Sequence, residues 1–188
     1  MARLNTGDQF PDFPFRTAAD AELKSSEVIK RADKTVFWVL RYIGCTTCRY
    51  DIHVIKERYR EFTDLNAQVL VVLQSLSENV RADLAGDEAP YEIICDPEQA
   101  IYRRFSIDPA PDKESRQPRD PREIEKLKQK IEKIKAGGFV HGKYEGDENQ
   151  LPAMFIVEPG GKVLYAHYAK NSIDMPTVDE VLAQLKTL

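Results

Sequence analysis

The chain has 188 residues, of which 42% are hydrophobic and 31% charged, with a net charge of −4. That length supports one ordinary domain with a core. The charge leaves no excess of Lys and Arg to neutralise phosphates, which excludes a general nucleic-acid binder, and the longest apolar run, Val36 to Leu40, is too short to span a bilayer.

The first residues, MARLNTGDQFPDF, lack the apolar stretch of a secretory signal, so a cytoplasmic protein is expected. Gly7 to Thr17 alternates weakly, carries two prolines and reads as an edge segment or short hairpin. Glu22 to Arg31 suits a short helix. Val36 to Leu40, VFWVL, is continuously apolar with β-branched and aromatic members, the pattern of a strand covered on both faces. Ile52, Ile55, Tyr59, Phe62 and Leu65 then recur at spacings of three and four, the buried stripe of a helix that begins near Cys45 and Cys48.

Gln68 to Leu73 predicts a second buried strand, Ser77 to Leu84 a helix with Ser77 as its cap, and Tyr91 to Cys95 a third strand. Asp96 and Pro97 are expected to open a short helix through Phe105. Ser106 to Pro121 is polar, holds four prolines and reads as an excursion from the main fold. Arg122 to Lys135 is a charged helix ended by Gly137 and Gly138. Its narrow stripe of Ile124, Leu127, Ile131 and Ile134 predicts that it rests against the rest of the chain. Its lysines are interrupted by Glu125 and Glu132, as on a solvated face. Ala153 to Val157 and Lys162 to Ala166 flank EPGG and predict a hairpin, and Thr177 to Leu188 a closing amphipathic helix. This order implies an α/β domain with a mixed sheet flanked by helices.

The informative spacing is Cys45-Thr46-Thr47-Cys48, between a strand and a helix. Backbone N–H groups point outward at a helix start, and the positive end of the helix dipole favours thiolate over thiol. Arg41 and Arg49 bracket the pair and add positive charge. A spacing of three in the first turn also lets the two sulfurs form a disulfide and so store two electrons. A zinc site would need further ligands, and neither Cys95 nor His53, His141 or His167 stands at ligand spacing. Cys95 reads as core, His53 as a packing residue and Trp38 as core. Asp51 is close enough to tune Cys48, and Tyr42 is placed to line the mouth of the site.

GDQFPDF, FWVLRYIGCTTCR, IICDPEQAIYRRFSI and QLPAMFIVEPGGKVLYAHY, in this order, resemble the peroxiredoxin-like alkyl hydroperoxide reductase/thiol-specific antioxidant family of the thioredoxin superfamily. The resemblance implies a thioredoxin-like fold over residues 1–188 with an N-terminal extension and a helical insertion at about 108–149. It also implies thiol-dependent peroxide reduction without cofactor or metal, a thioredoxin-type thiol donor and a possible homodimer. Against the family's Pro-x-x-x-Thr-x-x-Cys, Cys48 takes the peroxidatic place, Cys45 stands where Thr would be and Arg41 where Pro would be. Thr46 or Thr47 is then the candidate to replace the missing hydroxyl.

Attack by Cys48 with Cys45 as resolving partner is the reading the resemblance favours. A thioredoxin-type exchange led by Cys45, or a non-catalytic binding module, remains open. Where the family carries an Arg near the late hairpin, this chain has Pro152. Its likeness to the thioredoxin proline predicts a cis bond at Leu151–Pro152 beside the cysteines.

Overall fold

The structure is a computed structural model that describes residues 3–188. Seven strands form one mixed sheet. They are β1 (Pro14–Thr17), β2 (Glu22–Lys24), β3 (Lys34–Val39), β4 (Ala67–Leu73), β5 (Glu92–Cys95), β6 (Ala153–Val157) and β7 (Val163–Tyr168), in the spatial order β2-β1-β5-β4-β3-β6-β7. β3, β4 and β5 run parallel, and β6 lies antiparallel to β3 with Trp38 opposite Met154. Of the segment 7–17 read as an edge or short hairpin, only Pro14–Thr17 is a named strand; it pairs with β2 beyond that segment and also with β5, so β2 is the edge. Part of the helix expected over 22–31 is therefore strand. Only α1 (Ser25–Val28) and a 3₁₀ turn at Ile29–Arg31 are helical there.

Alternation along β3 sends its side chains to two cores. Val36 and Trp38 join the aliphatic layer under α2 (Thr46–Glu57), α3 (Tyr59–Thr63) and α4 (Ser77–Asp83). Phe37 and Val39 face an aromatic layer in which Phe10, Phe105 and Phe155 pack with ring centroids 5.2–6.4 Å apart. The stripe from Ile52 to Leu65 is a helix broken at Arg58, so it spans both α2 and α3.

Two helix starts and one peptide bond differ from expectation. The N-cap of α4 is Leu76, and the Ser77 hydroxyl instead donates to Asp20 Oδ1 at 2.6 Å. Helix α5 (Ala100–Arg104) starts after Pro97 because Gln99 adopts a left-handed conformation. Asp96 still closes its start by accepting from the Ala100 and Ile101 N–H groups. The described peptide bonds are all trans, so the cis bond expected at Leu151–Pro152 is not formed. Trans is the ordinary state of an X–Pro bond, and Pro152 enters β6 in it.

Within the insertion, α6 (Pro121–Ala136) is capped by Asp120, and Ile134 is its one fully buried stripe residue, while Ile124 and Ile131 are each 37% exposed. Helix α7 (Val178–Leu185) starts with a capping box between Thr177 and Glu180 and buries Val178, Val181, Leu182 and Leu185. No helix among the described residues is long and apolar enough to cross a membrane.

The end of β3 carries the cysteine turn, and a buried phenol holds it. Tyr102 of α5 donates its hydroxyl to the Leu40 carbonyl at 2.6 Å, while the Leu40 N–H donates to Val72 at 3.0 Å. Replacing Tyr102 by Phe leaves that buried carbonyl without its donor and should cost about 1–3 kcal/mol in urea unfolding. A loss near zero would show that the phenol does not hold the turn.

Candidate active site

Ligands of open α/β sheets gather at the carboxyl ends of parallel strands, and the cysteines lie there. The chain leaves β3, turns through Arg41 to Gly44 and enters α2 with Cys45 as its N-cap residue. Cys45 Sγ occupies the place that a capping oxygen usually takes. It accepts from the Cys48 N–H at 3.3 Å, from Arg41 Nη2 at 2.9 Å, and lies 3.1 Å from Thr47 Oγ1. Burial alone would raise this thiol. The Cys48 side chain, the Arg41 charge, the Thr47 hydroxyl and the Cys48 N–H outweigh it and lower the Cys45 pKa to about 5.

Cys48 responds in the opposite direction. It is buried one turn into α2, and desolvation and the neighbouring Cys45 anion push its thiol well above the usual range. The donors converge on Cys45 and not on Cys48, which the resemblance puts in the peroxidatic place, because the N-cap sulfur meets the helix's unpaired N–H groups and the fourth residue does not. Both cysteines are unbridged and close to fully buried. Cys48 lines a narrow cleft of about 20 Å³ with Arg41, Thr47 and Pro152, whereas Cys45 follows Gly44, whose carbonyl accepts from the Gly142 N–H.

The other expected residues divide. Arg41 and Thr47 touch the sulfur, and Pro152 shares the Cys48 cleft. Thr46 makes no hydrogen bond to either sulfur among the described contacts. Arg49 points away, donating to Asp83 and to the Val140 carbonyl (2.7 Å), so it braces the insertion instead of the thiolate. Asp51 is held by Lys130 at 2.7 Å, and His53 packs on Phe139. Cys95 is core, its thiol pushed up to about 12 by burial. Among the described residues no three His, Cys, Asp or Glu side chains gather as a metal-binding group.

The sequence reading missed the insertion's contribution. Gly142 N–H donates to the Gly44 carbonyl at 2.8 Å, and Arg41 Nη1 donates to the Glu148 carbonyl at 2.7 Å. Arg116 donates to that same carbonyl and feels the Cys45 charge, while its buried Nε–H has no partner. The Tyr42 hydroxyl, raised to about 12 chiefly by burial, meets His141 Nε2 at 3.1 Å. Gly44 is required here, since a Cβ would lie 2.0 Å from the Lys143 carbonyl oxygen. The one signal for this in the sequence is the glycine in the cysteine turn.

A thioredoxin-like sheet with an N-cap thiolate and a second thiol three residues on defines a thiol-based oxidoreductase. The chain belongs to the AhpC/TSA family, whose model matches residues 6–166, which places it among the thiol-based peroxidases. It is 26% identical over 156 residues to peroxiredoxin-like 2C of Takifugu rubripes, covering 79% of this chain and 68% of that protein. Its fold is similar to that of peroxidoxin BcpB from Mycobacterium tuberculosis (TM-score 0.67, 15% identity, 99% of each chain). It is likewise similar to a yeast mitochondrial 1-Cys peroxiredoxin (TM-score 0.70, 11% identity, 97% of this chain and 75% of that one).

The folded Cys45 thiol titrates below its unfolded value of about 8.5. Its contribution to stability is full above the unfolded value and is lost as pH falls toward about 5. Thiolate absorbance of the reduced protein should show a step near pH 5 that Cys45→Ser removes and Cys48→Ser retains. Arg41→Met should move the midpoint up by roughly one to three pH units. A step that instead follows Cys48 would reverse the assignment.

Proposed function

We propose that the protein reduces peroxides with Cys45 as the attacking thiolate and Cys48 as the resolving thiol. The observation that carries this reading is the convergence of Arg41, Thr47 and the Cys48 N–H on one sulfur. The Cys45 thiolate attacks one peroxide oxygen, the O–O bond breaks, and the departing oxygen takes a proton to leave as water or an alcohol. Cys45 becomes a sulfenic acid. The Cys48 thiol then displaces its hydroxyl as water, and the pair closes to a disulfide. A low pKa favours Cys45 as nucleophile at neutral pH, and a raised one keeps Cys48 a thiol until the sulfenic acid forms. Arg41 and Arg116 supply positive charge for the departing oxygen.

On this reading residues 1–188 act as one thioredoxin-like unit in a reducing, cytoplasmic setting, reloaded by an external thiol donor. Residues 142–148 cover Cys45 and must open for a peroxide to reach it. The family's homodimer remains compatible with this arrangement and is not needed for it.

Mild peroxide should remove two thiols from the reduced protein and lower its mass by two hydrogens. Cys45→Ser should reduce peroxide consumption roughly a thousandfold or more, while Cys48→Ser should accumulate a dimedone-reactive sulfenic acid on Cys45. Sulfenic acid appearing on Cys48 in Cys45→Ser at an undiminished rate would overturn the assignment. Consumption of small disulfides but not of peroxide would replace peroxidase chemistry with disulfide exchange.

The cover has its own test. Gly44→Ala forces the Lys143 backbone away, so Cys45 should alkylate several-fold faster, at a cost of about 1–3 kcal/mol in stability. An unchanged alkylation rate would mean that residues 142–148 do not limit access.

A further inference from the structure

Closing the disulfide requires Cys48 to give up a proton, and its surroundings make that hard. The thiol is 4% exposed, and burial together with the Cys45 charge pushes it well above the usual range. At neutral pH almost none of it is thiolate, so the resolving step needs a proton acceptor close by.

The cleft at Cys48 holds one. Asp51 is the single acidic side chain among the described residues that line it. It stands three positions after Cys48 on α2, so the two side chains are neighbours on one helix face, with Cβ atoms about 5–6 Å apart. The cleft, of about 20 Å³, has room for one water molecule, enough to bridge a thiol and a carboxylate at that separation. Lys130 of α6 reaches the same cleft and lies 2.7 Å from Asp51 Oδ1 and 2.8 Å from Oδ2, in a part-buried contact that fixes the carboxylate's direction. Arg41 faces the thiol from the turn after β3, and the Tyr91 phenol before β5 feels the Asp51 charge. Farther out, Arg58 pairs with Asp179 and Lys126 faces Glu180, so those charges offset one another.

We propose that Asp51 takes the proton from Cys48 as the disulfide closes, and that Lys130, brought by the insertion from 79 positions away, is its positioning residue. The proposal rests on the peroxidase reading above and adds the proton path of its second step. Cys48 Sγ bonds to Cys45 Sγ, the S–O bond of the sulfenic acid breaks, and the departing hydroxide takes a proton from solvent and leaves as water. The Cys48 proton passes through the cleft to Asp51, which returns it to solvent. The Cys48 sulfur is oxidised and the sulfenic sulfur reduced. Transfer concerted with S–S bond formation takes the proton from a sulfur that is becoming part of a disulfide, so a carboxylate serves as its acceptor.

Single-turnover mixing of the reduced protein with hydrogen peroxide separates the two steps, with sulfenic acid trapped by dimedone and disulfide read by mass. Asp51→Asn should slow the second step about a hundredfold relative to the first. The slowed step should then rise about tenfold per pH unit between about pH 6 and about pH 8, because hydroxide replaces the carboxylate as acceptor. The unaltered protein should stay nearly level there, since a carboxylate is an anion throughout that range. Asp51→Glu should restore most of the rate. Lys130→Gln breaks the same ion pair but keeps the carboxylate, so it should slow the step less than about tenfold and leave it level with pH. Equal slowing by Asp51→Asn and Lys130→Gln, or no slowing by Asp51→Asn, overturns the proposal. Dithiobis(nitrobenzoate) drives the same closure without peroxide: Cys45 attacks it and releases one coloured thiolate, and Cys48 then releases the second. A second release that depends on Asp51, with no peroxide consumed, keeps the proposal and removes the peroxidase reading. Peroxide consumed, with a second release indifferent to Asp51, does the reverse.

Discussion

Arg41 Nη2 lies 2.9 Å from Cys45 Sγ, and the remaining architecture arranges itself around that contact. A buried sulfur anion is costly without compensation. Here the compensation comes from a guanidinium, a hydroxyl and a helix-terminal N–H, each from a different local device. β3 ends at Val39 and aims Arg41 across the turn, the first turn of α2 supplies Thr47 and the Cys48 N–H, and Tyr102 holds the strand end. The same guanidinium reaches the Glu148 carbonyl, so one side chain ties the thiolate to the insertion.

Two cysteines three residues apart acquire opposite tendencies from position alone. Cys45 caps the helix and receives donors; Cys48 sits inside it, where its own N–H is already given to Cys45. That division is what the proposed two-step oxidation rests on, in which one sulfur attacks and the other waits.

The insertion is more than a surface excursion. Residues 142–148 pack on Gly44 and Arg41 beside Cys45, and Arg116 brings a second guanidinium toward it. The segment meets a site whose chemistry belongs to the sheet and α2. This is the usual division of labour between a rigid scaffold and its loops.

The sheet strands and α2 were legible because their signals are local. VFWVL and QVLVVL are apolar without alternation, and only strands buried on both faces tolerate that. The Cys45–Cys48 spacing at a strand–helix junction likewise announced thiol chemistry. The sequence by itself thus determined the fold class, the membership in a thiol-dependent family and the nearness of Arg41 and Thr47 to the cysteines. Tertiary structure decided the rest. Which sulfur gathers the hydrogen-bond donors depended on cap geometry finer than spacing. Arg49's turn toward Asp83 and the approach of Arg116, Glu148 and Gly142 join residues 34 to 107 positions apart. Contacts of that range leave no periodic trace in a sequence, since they are set by how the layers pack and not by any local preference of the chain.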